Sequence, residues 1–317
     1  MSFSLANQGL TSDVAFGQFR TDSDTGIGSI NLRTGSLVKL THFPAGVSGT
    51  GWMAVDGSWL VWEQSESNVD PTNWTLRALN LVSSEQLILT GSTKLAGGLF
   101  QMGQSPVPVI SNGVVAWGEP TASPDNSPRS KVVLYNLTSR QAMTIDAGIV
   151  SSPVFAGDKL VWAKIDPTSH AYSFAAVQSD TLASVDVTTL FPKPDSIVNL
   201  AGSGEYLAWT LNGSMQMEVL RLSDHQLREY PSPDDRHHLQ FPMLVSHYAA
   251  WYSGNVSSVL DLDTGRAFDV NGSVAAASGT IAKLEPVGVI PKGGNGQVTV
   301  SGLSVSSVPG MPATACA

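Results

Sequence analysis

A short apolar strand ending in tryptophan recurs along the chain and constrains its fold more than any other feature. It reads GSWLVW at Gly57–Trp62, GVVAW at Gly113–Trp117, DKLVW at Asp158–Trp162, EYLAW at Glu205–Trp209 and HYAAW at His247–Trp251. The tryptophans Trp62, Trp117, Trp162, Trp209 and Trp251 stand 55, 45, 47 and 42 residues apart. That period matches one blade of a β-propeller, a four-stranded sheet, and is too long for the common two-helix solenoid repeats of 33–34 residues.

The same order of signals surrounds each tryptophan. A short strand, often opened by proline, comes first, as at 105–110, 152–155 and 241–245. A tight turn follows at Asp56-Gly57, Asn112-Gly113 and Gly157-Asp158; Asp-Gly and Asn-Gly between apolar runs are strong hairpin signals, because both central residues of a type I′ turn need positive φ. After the tryptophan strand and a polar loop, a second hairpin appears at 30–39, 79–87, 134–143, 219–227 and 259–268, with a poorer match at 175–184. Each unit is therefore expected to hold four short antiparallel strands. A sheet with two apolar faces is stable only when neighbours cover them, and an indole that buries ~150–250 Å² at one phase of every repeat supplies such cover. Trp62, Trp117, Trp162, Trp209 and Trp251 are accordingly assigned to the junctions between blades. Phe16, 46 residues before Trp62, takes the same place in a first unit. A sugar-binding groove lined by these rings is the competing reading, but their short apolar neighbours argue for core.

The fold class is all-β. One Phe16 unit, five tryptophan units and a last unit around 278–304, where Lys283 stands in place of tryptophan, favour seven blades; six blades and a C-terminal extension are the alternative. Residues 1–308 are expected to form a single propeller domain, closed by strands from both chain ends, with 309–317 as a disordered tail.

The repeats resemble the TolB-type, WD40-like propeller repeats of bacterial and archaeal proteins. The resemblance rests on the proline-opened strand, the turn, the apolar strand ending in tryptophan and the Leu-x-Thr-Gly hairpins at Leu32–Gly35 and Leu262–Gly265. It implies architecture over roughly 13–308 and little about activity, since such propellers serve as protein-binding modules, sensor ectodomains and occasionally lyases. The Trp-Asp pair of WD40 repeats is absent: Glu63, Gly118, Ala163, Thr210 and Tyr252 follow the tryptophans.

The chemistry of the side chains is sparse. With 17 Lys and Arg against 26 Asp and Glu, the net charge is −9, and no basic stripe is present to neutralise phosphates, so nucleic acid is not an expected partner. Cys316 is the single cysteine, so no internal disulfide forms. Met1–Leu10 has neither the basic region nor the apolar run of a signal peptide, and no stretch reads as a membrane span. Low charge and Ser/Thr richness favour an extracytoplasmic place, with the leader outside this sequence; a cytoplasmic one is the alternative. A monomer without cofactor is expected.

No nucleophile elbow, H-E-x-x-H, Walker loop or dinucleotide fingerprint occurs. Asp22–Gly26 (DSDTG) opens like a calcium loop, but position 33, where an EF-hand needs a carboxylate, is arginine. The densest polar cluster is Asp234-Asp235-Arg236-His237-His238, with Gln240 and His247 nearby. It reads as a solvated loop after Pro231 and Pro233, and no metal is assigned to it. It also faintly resembles the metal-holding histidines and glutamine of propeller lyases acting on pectic oligosaccharides.

In this blade grammar the two hairpin turns share one face, while the longer and more polar loops share the other. Binding concentrates on loops carried by a rigid scaffold. The ligand-binding face, around the mouth of a central channel, is thus expected to carry Asp22, Asp70, Asp166, His170, Asp235, Arg236, His237 and His238. The first functional reading is a non-enzymatic module that binds a protein or glycan there. The alternatives are a metal-dependent carbohydrate-active enzyme using His237, His238 and Gln240, and a structural or sensor ectodomain of a larger assembly.

Overall fold

The computed structural model describes residues 2–304 except 12–13, 32–33, 45–46, 48, 68–69, 71, 93–105, 122–128, 212–215, 232–239, 246, 254–255, 272, 278–279 and 288–296. Among the described residues there is no helix, in keeping with the absence of any 3.6-residue period in the sequence. The chain divides into two compact units, 44–200 and 1–43 with 201–317.

In the unit formed by 44–200, each sheet is an antiparallel run of consecutive strands. The first comprises β5 (Gly49–Asp56), β6 (Trp59–Ser65), β7 (Trp74–Asn80) and β8 (Gln86–Gly91). The second comprises β9 (Val109–Ser111), β10 (Val114–Thr121), β11 (Arg129–Asn136) and β12 (Gln141–Val150). The third has β13 (Val154–Ala156), β14 (Lys159–Ile165) and β15 (Tyr172–Gln178), and the end of β12 links it to the second by pairing with β14 at Ile149↔Ile165 and Val150↔Lys164. Here the expected second hairpin at 175–184 is not completed, since beyond β15 only the single bridge Val177↔Ser184 remains. An Asx turn at Asp186 and the prolines 192 and 194 interrupt any ladder, as proline lacks the N–H a ladder needs. Burial takes over instead: Phe191 and Ile197 are buried, with the Phe191 ring 5.2 Å from that of Phe174.

The other unit is built the same way. It begins with β1 (Ser2–Leu10), β2 (Val14–Arg20), β3 (Thr25–Asn31) and β4 (Leu37–His42). It continues with β16 (Leu200–Ser203), β17 (Tyr206–Thr210), β18 (Gln216–Arg221) and β19 (Gln226–Pro231). Next come β20 (Gln240–Val245), β21 (Tyr248–Ser253), β22 (Val256–Asp261) and β23 (Ala267–Asn271), then β24 (Ser273–Ala277), β25 (Thr280–Val287) and β26 (Gln297–Ser304). Strand β1 pairs with β2 and also lies alongside β24, so the first strand of the chain meets the last sheet within one unit. The expected tail, 309–317, lies outside the described residues.

The apolar cores lie between sheets, as the repeated indole requires. Phe16, Trp62, Trp117, Trp162, Trp209 and Trp251 are all buried, none more than 5% exposed. Trp117 shares one cluster with Val61, Trp74, Leu76 and Ala78 of the preceding sheet. Trp251 shares another with Tyr206, Ala208, Met217 and Val219 of its own preceding sheet. At roughly 25 cal/mol per Å² of buried apolar surface, one indole of this size supplies several kcal/mol to each junction.

The turns refine the sequence expectation. Asn112-Gly113 has positive φ at both residues, the type I′ pattern. In the other hairpins Asp56 ends β5 and the turn is Gly57-Ser58, and the third sheet turns at Gly157-Asp158. Only the glycine has positive φ there, which is the type II′ pattern. One hydrogen bond then ties both turns of a sheet together. Leu81 N donates to Ser58 O at 2.7 Å, Leu137 N to Gly113 O at 2.9 Å, Ser179 N to Asp158 O at 2.8 Å, Leu222 N to Glu205 O at 2.7 Å and Leu262 N to His247 O at 2.8 Å. The two hairpin turns of each of these sheets therefore sit at one end, and the loop after the tryptophan strand sits at the other.

Candidate functional site

At that loop end of the 44–200 unit, polar side chains take over from the apolar core. Side chains alternate along a strand, so the residue two beyond a tryptophan projects into the same space between sheets. These residues are Gln64, Glu119 and Lys164. Gln64 accepts the Trp62 indole N–H at 3.4 Å and donates to Glu66 at 3.1 Å. Glu66 also accepts from the Thr75 hydroxyl and pairs with the Arg77 guanidinium at 2.7 Å. Glu119 accepts the Trp117 indole N–H at 3.1 Å, pairs with Lys131 at 2.7 Å and accepts from Thr90 of the preceding sheet at 3.3 Å. The Trp162 indole N–H donates at 2.7 Å to Asp146 of the preceding sheet, which pairs with Lys164 at 2.8 Å.

The indole N–H groups of Trp62, Trp117 and Trp162 thus each meet an oxygen acceptor, which costs less than leaving them dry and unpaired. Each charged acceptor in turn meets a cation. Burial alone would push the Glu66 and Asp146 carboxyls up, but their partners outweigh it: Thr75 and Arg77 hold Glu66 below the usual range, and Lys164 with the Trp162 indole does the same for Asp146. The cations remain partly open to solvent, Arg77 at 25%, Lys131 at 33% and Lys164 at 42%. Three successive sheets therefore present a row of ionised, hydrogen-bond-ready groups seated on rigid tryptophans.

Glu63 stands on the opposite face of β6 and is nearly fully buried. It occupies the hollow left by a bulge in β5 between Thr50 and Met53. The fit needs Gly51, because a Cβ there would lie 2.1 Å from Glu63 Oε2. Burial pushes the Glu63 carboxyl up to about 7, the Gly51 N–H draws it down, and the Glu66 charge adds to the rise.

Of the residues assigned to the binding face, Asp22 is exposed in the bend between β2 and β3. Its neighbour Asp24 pairs with Lys39 at 2.8 Å and His42 at 2.9 Å. Asp70 accepts the backbone N–H of Thr72 at 2.9 Å, shaping the loop after β6. Asp166 and His170 close one turn: Asp166 Oδ1 accepts from Thr168 N at 2.9 Å and Ser169 N at 2.7 Å, while His170, with φ of 56°, donates its N–H to Asp166 O at 2.9 Å. Asp235, Arg236, His237 and His238 lie outside the described residues. Sequence reasoning passed over Glu63, Gln64, Glu66, Arg77, Glu119, Lys131, Asp146 and Lys164. The recurrent polar residue two beyond the tryptophan was the available signal; partners on other strands carry none.

No family profile matches the chain, and no curated protein is significantly similar. Solved structures are similar in fold. An oligogalacturonate lyase in complex with manganese aligns at a TM-score of 0.57 and 10% identity, over 95% of this chain and 89% of that one. TolB from Acinetobacter baumannii aligns at 0.51 and 11% identity, over 91% of this chain and 66% of TolB. A prolyl endopeptidase aligns at 0.62 and 15% identity, over 98% of this chain but 48% of its own length. The chain has a TolB-like β-propeller fold.

Proposed function

We propose that the protein is a non-enzymatic propeller, of seven blades, that binds a protein or glycan through its loop-bearing face. The observation that carries this reading is the row of Gln64–Glu66–Arg77, Glu119–Lys131 and Asp146–Lys164, held at the loop end of three successive sheets. Paired acceptors and cations that are partly dehydrated and already oriented lose little entropy on meeting a polar ligand. Such groups suit the hydroxyls and carboxylates of an acidic glycan, or the backbone and charged side chains of a peptide. The similarity in fold to TolB and to the lyase supports an extracytoplasmic setting, and a monomer is proposed.

Binding to a glycan array and to a peptide library tests the reading. Replacing Lys131 and Lys164 by glutamine together with Asp166, Asp235 and His237 by alanine should weaken any specific binding; undiminished binding by that folded variant would place the interface elsewhere. The second reading, a metal-dependent lyase acting through His237, His238 and Gln240, draws on the fold shared with oligogalacturonate lyase. Formation of an unsaturated product from oligogalacturonate would favour it over the first.

A further inference from the structure

We propose that His247, Asp261 and Asp263 bind a first-row divalent cation, at the hairpin-turn end of the sheet β20–β23. One donor atom from each of the three residues lies within 4.8 Å of the others. An imidazole with two carboxylates is a donor set suited to Zn²⁺ or Mn²⁺. His247 comes from the turn between β20 and β21, and the two aspartates flank Leu262 in the turn between β22 and β23. The Leu262 N–H bond to His247 O holds these turns together, which is why residues 14 and 16 positions apart converge.

Each carboxylate has one oxygen fixed by the protein. Asp261 Oδ1 accepts the backbone N–H groups of Asp263 at 2.9 Å and Thr264 at 3.2 Å. Asp263 Oδ1 accepts the hydroxyl of Tyr206, on β17 of the neighbouring sheet, at 2.8 Å. Outer hydrogen bonds of this kind orient metal-binding carboxylates, and the second oxygen of each is the donor assigned to the ion. The nearby guanidinium groups are engaged elsewhere: Arg228 donates to the Leu262 carbonyl at 2.6 Å and Arg221 pairs with Asp224 at 2.6 Å. Donors around a tetrahedral ion with bonds of roughly 2.0–2.2 Å are about 3.3–3.6 Å apart. Reaching that spacing takes a movement of about 1 Å, which the exposed Asp263 side chain can supply. Through Asp263 and Tyr206, a bound ion would fasten two adjacent sheets of one unit.

The test is calorimetric titration of the chelator-treated protein with Zn²⁺ and, separately, Mn²⁺. The site predicts uptake that is lost in His247→Ala and Asp263→Ala, retained when His237 and His238 are both replaced by alanine, and weakened roughly 10-fold in Tyr206→Phe. The thermal midpoint of the wild type should rise with ion concentration, and that rise should vanish in His247→Ala. No uptake by the wild type, uptake unchanged in His247→Ala and Asp263→Ala variants that melt cooperatively, or loss only on removing His237 and His238 would each overturn the assignment. None of these results bears on ligand binding at the loops.

Discussion

Replacing Glu63 by glutamine should make the protein more stable in mild alkali while leaving its stability in weak acid unchanged. The Glu63 carboxyl is 3% exposed and its pKa is raised from 4.5 to about 7. Between those values the folded protein keeps a proton that the unfolded chain releases, so stability falls as pH rises through this window. At 1.36 kcal/mol per pKa unit, the difference amounts to about 3 kcal/mol, fully present below pH 4.5 and lost above about pH 7. Glutamine has the shape of the protonated acid and can still accept the Gly51 N–H, but it cannot ionise. Urea unfolding followed by tryptophan fluorescence at about pH 4 should therefore give nearly equal midpoints for wild type and variant. At about pH 8 the variant should be ahead by roughly 3 kcal/mol. Carboxyls held low, such as Glu66 and Asp146, work in the opposite sense and in another window: their stabilisation is lost as pH falls below their ordinary values of 4.5 and 3.8. Equal pH dependence in the two proteins would show that Glu63 ionises freely, and the account of the β5 bulge would fail with it.

Gly51→Ala should cost about 1–3 kcal/mol by forcing Glu63 out of its hollow, and the cost should shrink in a Glu63→Ala background, as a double-mutant cycle in urea would show. Trp162→Ala should cost about 3–5 kcal/mol by emptying an inter-sheet space, read as a drop in unfolding midpoint. Ser84→Gly should stabilise by ~0.5–1 kcal/mol, because Ser84 has φ of 59° where the matching turns at Gly35 and Gly265 use glycine; a thermal shift measures it.

The turns show how far local chemistry reaches. Asn80, Asn136, Asp166 and Asp261 each accept the N–H groups two and three residues ahead, and the fifth residue of each turn has positive φ. An Asx residue at the right offset suffices for that, which is why the hairpins were legible residue by residue. It also explains a difference in emphasis at Asp166: the carboxylate assigned to ligand binding is the one that builds its own turn.

The spacing of the tryptophans, the alternation of the strands and the turn residues by themselves determined an all-β repeat with indoles between sheets. Those signals act within a few residues or recur at a constant period, so they survive in one dimension. Pairings between strands and sheets were decided only by tertiary structure. Asp146 meets the Trp162 indole from 16 positions away, Glu63 rises to about 7 because a bulge buries it against Gly51, and Asp263 meets Tyr206 from 57 positions away. Hydrogen bonds and desolvation depend on distances of a few ångströms, and those distances exist only once the sheets have packed.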